Sequence, residues 1–372
     1  VIVRFRFLAA SLVLAASLPA LLACAMPAQA QITARDAAGR EISLPAPAKR
    51  IVLSDAQDLI AFSLIDPEPA ARIVGWSRAR LDEETYALLA GRDRRVAGIR
   101  SLGIIRPGAV PVEAIIALKP DLVVLGTEFS ASEPGIAQLT AARIPVAILS
   151  LAPSLRRIDG ELGLVALGRL IGREERAQAF SAFFKERVER IRRRVAERGP
   201  RRRIPVLLEA HAGGATCCMS PGGGEGIGDF VTLAGGENIG ASVIPGMAGT
   251  LGVEYVIRRR PEVFIATGGA YMAARGGLVL GTGRSPEEAR ASLAKLAARP
   301  TLAGLPAVAS GRVHGIAHSL TTSGLNLVAI EAIAQWVSPD LFADIDPDET
   351  LRLIGERFLG FPMVGTYMVD LR

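Results

Sequence analysis

The sequence predicts an α/β protein of two α/β lobes with parallel-type central sheets, joined by one long spanning helix. Three observations carry that expectation. Short β-branched runs alternate with helical patterns through residues 50–150 and resume at 203, the rhythm of a parallel sheet covered by helices. A helix–turn–strand phrase occurs twice, as "VEAIIALKPDLVVLG" and "VEYVIRRRPEVFIATG". Each copy sets a Pro seven residues after a Glu (Glu113 to Pro120, Glu254 to Pro261), then an acid, then a strand, which suggests a duplicated architecture. Finally, Arg157 to Arg198 carries no strand signal, and Pro is absent between Pro153 and Pro200. Apolar residues there, among them Leu164, Leu167, Phe180, Val188 and Ile191, recur at helical intervals.

A chain of 372 residues with 50% hydrophobic and 22% charged content is globular and long enough to bury two cores. Its net charge of +6 comes almost entirely from arginine, with four lysines. The densest run, "RIRRRVAERGPRRR" (190–203), falls where the long helix should end and reads as a solvated face, so no nucleic-acid partner is expected.

Each element follows in order. Residues 1–30 read as a signal peptide: Arg4 and Arg6 precede an apolar stretch, and "AQA" (28–30) offers a cleavage site. "LLAC" resembles a lipobox, so Cys24 stands as an alternative, lipidated N-terminus. "ARDAAGREISLP" reads as a hairpin turning between Asp36 and Gly39. "RIVLS", "RIVGWS", "DLVVLG" and "IPVAILS" are strands, and "DLIAFSLI", "DEETYALLAG" (capped by Asp82) and "EPGIAQLTAA" are helices. These fill a first lobe over 31–156. The spanning helix takes 157–199, with a kink at Gly172, and on the order of 60 Å of helix would run along both lobes. The second lobe, 200–372, restarts with "RIPVLLEA".

The opening "DAAGREISLP…RIVLS", the "VEAIIALKPDLVVLG" segment, "GDFVTLAGGENIG" (228–240), "VASGRVHGI" (308–316) and the terminal "GTYMVDLR" stand in an order that resembles class III periplasmic substrate-binding proteins of ABC importers. That group carries ferric siderophores, haem and vitamin B12. The resemblance implies a monomeric periplasmic binder, without catalytic residues or a cofactor of its own, that delivers a ferric chelate to an inner-membrane ABC permease. It further implies that Glu113 and Glu254, one on each lobe, dock onto permease arginines, where two carboxylates on rigid repeats offer charge-assisted contacts at fixed separation. Each is equally a favourable first-turn helix residue.

Ligands of two-lobed α/β proteins sit at loops after strand carboxyl ends. That rule points to Asp55, Gln57, Trp76, Arg78, Arg80, Thr127 and Glu128 in the first lobe. In the second lobe it points to His211, Cys217, Cys218, Ser220, Tyr271, Arg275, His318 and Asn326. Arg78 and Arg80 suit an anionic chelate, because a guanidinium grips paired oxygens. "PGGGEGIGD" lacks the Lys-Ser/Thr ending of a phosphate loop and reads as close backbone approach, with Asp229 capping the next helix.

With three histidines, a dedicated metal cage is not expected: His314 and His318 flank a β-like segment and lie about 13 Å apart. Cys217 and Cys218 are neighbours, so a bridge between them would span less than the usual ~4.4–6.8 Å between α-carbons and would be strained; packed thiols are the alternative. Two further readings stay open. One is a haem or corrinoid binder of the same build; the other is an exported redox enzyme using the Cys217–Cys218 pair.

Overall fold

A computed structural model describes residues 1–2, 31–213 and 217–372. All but the first two residues of the expected signal peptide, with the expected cleavage site at Ala30 and the alternative Cys24, lie outside the described residues. The hairpin is present as strands β1 (Ile32–Arg35) and β2 (Glu41–Leu44), paired antiparallel. Its turn is set by Asp36, whose carboxylate accepts the N–H groups of Ala38 and Arg40, with Gly39 supplying the positive φ of 79°.

The first sheet is parallel, in the order β5–β4–β3–β6–β7. Its strands are β3 (Ile51–Leu53), β4 (Ile73–Trp76), β5 (Arg100–Ser101), β6 (Leu122–Leu125) and β7 (Val146–Ile148). All four β6 side chains are buried, which is why this strand is written as an unbroken apolar run. Helices α1 (Asp58–Ile65), α2 (Glu83–Arg92), α3 (Val112–Ala117) and α4 (Pro134–Ala141) fill the intervals, and the Asp82 carboxylate caps α2 by accepting the Thr85 N–H at 2.8 Å.

The connecting segment is two helices rather than one kinked helix: α5 (Gly163–Leu170) and α6 (Glu174–Glu197). Gly172 takes a left-handed φ of 71°, and the Arg173 N–H closes on the Gly168 carbonyl, so the chain stops and restarts. The spanning element is therefore α6, 24 residues long, or about 36 Å.

The second sheet runs β10–β8–β12–β14–β16. Strands β8 (Ile204–Glu209), β10 (Gly236–Asn238), β12 (Val263–Gly268) and β14 (Val313–Ala317) are parallel, and β16 (Met368–Asp370) closes the edge antiparallel to β14. Two small ladders pair β9 (Met219–Pro221) with β11 (Ala248–Thr250), and β13 (Gly281–Thr282) with β15 (Gly365–Thr366). The helices are α7 (Ile227–Leu233), α8 (Val253–Arg259), α9 (Pro286–Ala297), α10 (Pro306–Ala309), α11 (His318–Thr322), α12 (Asn326–Val337), α13 (Pro339–Phe342) and α14 (Pro347–Ile354). The segment "VASGRVHGI" divides: Val308 and Ala309 end α10, and the strand starts only at Val313.

Helix α6 packs on α1 of the first lobe and on α7 and α12 of the second. Its arginine run is not simply solvated. Arg187 and Arg190 reach Glu331 of α12, Arg194 pairs with Asp344, and Arg198 with Asp340. Spaced three and four residues apart, these arginines form one stripe facing acids of the second lobe.

The duplicated phrase is duplicated in space. α3 precedes β6 as α8 precedes β12, Ile115 and Val256 are buried at equivalent positions, and Lys119 and Arg260 end the two helices at φ 47° and 46°. The lobes also touch directly. The Thr85 and Thr282 hydroxyls share a hydrogen bond of 2.7 Å, Arg284 pairs with Glu84, Arg156 grips Asp229 through two contacts of 2.8 and 3.0 Å, and the Asn326 amide donates to the Pro153 carbonyl.

Candidate ligand-binding cleft

Three neighbouring strands of the second sheet, β8, β12 and β14, end at the same level, and each delivers one side chain into a cleft of about 690 Å³ between the lobes. His211 lies just beyond β8, in a left-handed turn with φ 49°, its N–H donating to Thr267 Oγ1. Tyr271 follows β12 after Gly268, where a side chain would collide with the Leu278 carbonyl. His318 opens α11 directly after β14.

These three residues form one cluster. His211 Nδ1 and the Tyr271 hydroxyl share a hydrogen bond of 2.5 Å, and the two imidazoles lie 4.0 Å apart between ring centroids. His318 Nδ1 shares a hydrogen bond of 3.1 Å with Thr267 Oγ1. Burial, aided by the charge of Arg275, lowers the His211 pKa. Burial, then His211 and Arg80, pushes His318 down to about 4. Burial holds the Tyr271 phenol up at about 12 in spite of Arg275. At neutral pH the cluster thus offers two uncharged imidazoles and a protonated phenol, which are lone-pair donors rather than cations.

The facing wall comes from the first lobe: Gln57 and residues 79–84. Arg80 is ion-paired with the buried Asp55 and has Glu128 at 4.0 Å. Burial first, and repulsion from Asp55 second, raise the Asp58 carboxyl well above its ordinary range.

Other expected site residues stand elsewhere. Trp76 is buried in the core at the end of β4, because its register opposite Leu53 and Ser101 keeps it part of the sheet. Arg78 pairs with Glu83 and lies over the Tyr86 ring at 3.6 Å, away from the cleft lining. Cys218 and Ser220 are fully buried: the Ala210 N–H bonds the Met219 carbonyl and Leu251 N–H the Cys218 carbonyl, folding the loop back on the sheet. The Cys217 and Cys218 sulfurs are bonded to each other. They lie beside Glu209, whose carboxylate is clamped by Arg299. Asn326 is spent on Pro153. Thr127 is exposed after β6, and Glu113 and Glu254 are exposed in the first turns of α3 and α8.

The sequence rule missed Asp82, Glu84, Leu280 and Arg284 in the cleft lining. No local signal marks them: Glu84 and Arg284 meet from 200 positions apart.

The fold is similar to that of the TroA-like periplasmic binding protein FepB from Veillonella parvula, with a TM-score of 0.82 and 23% identity over 92% of this chain and 100% of that one. It is similar to CeuE from Helicobacter pylori with Ni(II) bound (TM-score 0.62, 15% identity, 89% and 96% covered). It is also similar to a periplasmic heme binding protein from Pseudomonas aeruginosa (TM-score 0.53, 20% identity, 78% and 93% covered). No curated protein matches the chain in sequence. Among the described residues, no helix is long and apolar enough to cross a membrane. The family model for periplasmic binding proteins matches residues 70–319, which take in most of both walls of the cleft, and the chain belongs to that family, the ligand-capturing components of ABC importers.

Proposed function

We propose that the cleft captures a metal chelate, a ferric siderophore foremost, whose metal keeps coordination positions open for the protein, and that the loaded protein presents it to its permease through Glu113 and Glu254. The observation that carries this reading is the convergence of His211, Tyr271 and His318 from three adjacent strand ends. Neutral imidazole nitrogens ligate transition metals, and a phenol oxygen whose proton is released to solvent as the metal binds is a hard anionic donor suited to Fe(III). Around the cluster, Arg80, Arg275 and Arg284 meet the anionic periphery of a chelate. Arg80 uses one nitrogen toward Asp55, leaving further donors in its planar fork.

The same lining favours a chelate over haem. Charged side chains, Arg80, Asp82, Glu83, Glu84 and Arg284, surround the opening, while Leu81 and Leu280 are its branched aliphatic contributions. A porphyrin face needs a broader apolar wall. The test is titration with two ferric chelates of one donor type, one saturating the metal and one leaving positions open. The open chelate should bind more tightly and develop a new visible charge-transfer band that Tyr271→Phe removes. Equal binding of both, with no new band, would refute metal coordination by the cluster. Turnover of the bound complex would instead indicate an enzyme.

A further inference from the structure

Ten large apolar side chains stand exposed among the described residues, and five of them lie on the two copies of the duplicated segment. The match extends upstream of the helices. "IIRPG" (104–108) and "VIPG" (243–246) each give an exposed β-branched residue, a buried isoleucine and a Pro-Gly pair. Each helix then carries its glutamate in the first turn and an exposed isoleucine one turn later, Ile116 after Glu113 and Ile257 after Glu254. The exposures are 67% at Ile104, 39% at Ile116, 50% at Val243, 79% at Met247 and 53% at Ile257. Single exposed aliphatics need no explanation, but two matched pairs, Ile104 with Val243 and Ile116 with Ile257, do, and Met247 extends the set on the second lobe.

Both sets share one end of the molecule. α3 and α8 each lead into a parallel strand, so their first turns sit level with the strand carboxyl ends that border the cleft. Among the described residues, neither Glu113 nor Glu254 has a cationic partner within 4.0 Å.

We infer that these two segments form one two-part docking surface for the importer's permease, in which Ile104 and Ile116 on one lobe, and Val243, Met247 and Ile257 on the other, bury against the partner around each glutamate. The inference rests on the reading that Glu113 and Glu254 face the permease. Its new content is that aliphatic burial supplies the affinity while the carboxylates fix the register. Repetition of one pattern across two lobes fits a partner that presents the same recess twice, a two-fold symmetric membrane-embedded dimer with a cation beside an apolar hollow in each half. A second copy of this chain fits poorly, since patch on patch would set carboxylate against carboxylate.

The experiment measures binding of the mature protein to its permease–ATPase complex in lipid nanodiscs. Ile116→Ser and Ile257→Ser should each weaken binding about tenfold, and together about a hundredfold, with an unchanged melting temperature because both side chains are exposed. Replacing both isoleucines by leucine should restore binding. If the serine pair binds like wild type while Glu113→Ala/Glu254→Ala loses binding, the inference fails and the docking reading stands. If neither pair weakens binding, both fail. Light scattering that reveals a dimer dissolved by the serine pair would overturn the inference in favour of self-association.

Discussion

Replacing Thr282 by Val tests the contact that ties the lobes together beside the cleft. The Thr282 hydroxyl stands between two others, Thr85 Oγ1 at 2.7 Å and the Tyr367 hydroxyl at 2.8 Å. Valine keeps the shape and removes both bonds. Thr85 retains its bond to the Asp82 carboxylate at 2.9 Å, so its loss is one ordinary hydrogen bond, about 0.5–1.5 kcal/mol. Tyr367 is 3% exposed and is left without its hydroxyl partner, which adds about 1–3 kcal/mol. The expected loss is therefore about 1.5–4.5 kcal/mol. Burial pushes the Tyr367 phenol up to about 12, so it remains neutral and the loss should not vary between mildly acidic and mildly alkaline buffers. Urea unfolding of Thr282→Val, Tyr367→Phe and the double variant completes a cycle. The double variant should be more stable than the sum of the two losses predicts, because phenylalanine no longer strands a hydroxyl. Strict additivity, or a Thr282→Val loss below about 0.5 kcal/mol, would refute the argument.

Glu331 is fully buried and accepts from Arg187 at 2.9 Å and Arg190 at 3.4 Å, as well as from the Thr350 hydroxyl; Glu331→Ala should cost about 3–5 kcal/mol in denaturant unfolding by leaving that charge cluster uncompensated. Burial alone would raise the Asp66 carboxyl, but the Arg72 hydrogen bond, the Glu68 N–H and the charges of Arg72 and Arg173 outweigh it and lower its pKa. Its stabilisation is present above the unfolded carboxylate range and lost as pH falls through the lowered folded value, so Asp66→Asn should flatten the acid limb of a melting-temperature profile. Calorimetric titration with a ferric chelate should find Arg80→Gln weaker by about 1–3 kcal/mol and Arg78→Gln unchanged, since Arg78 is turned onto Tyr86 and Glu83.

Much of the architecture was legible because it is locally encoded. "DLIAFSLI" is helix α1 residue for residue, and Asp82 caps where its position before "EETYALLAG" demands. The broken connector shows where periodicity misleads: apolar spacing continues across 170–174, and Gly172, read as a kink, is a full stop because its φ is left-handed. In the cleft, the strand-end rule found His211, Tyr271 and His318, since each follows a strand directly. It could not find their convergence, because β8, β12 and β14 become neighbours only through crossover connections. The same rule placed Trp76 in the cleft because it cannot tell a strand's last inward-facing residue from its first loop residue, and it placed Ser220 there because it cannot see that the loop after β8 folds back and forms β9. The long-range pairs Arg284–Glu84 and Arg156–Asp229 have no sequence signature at all.

The topology also fixes the order in which the molecule can be assembled. Every strand of the first sheet comes from residues 51–148, and every strand of the second from residues 204–370; neither borrows a strand from the other. A chain emerging N-terminus first can close the first sheet before any part of the second exists. What must wait is the outer surface of α1, which is covered by α5 and α6 and, from the far end of the chain, by residues Gly355–Leu359, so the half-made protein carries an apolar face whose cover is completed only when the last part of the chain has arrived.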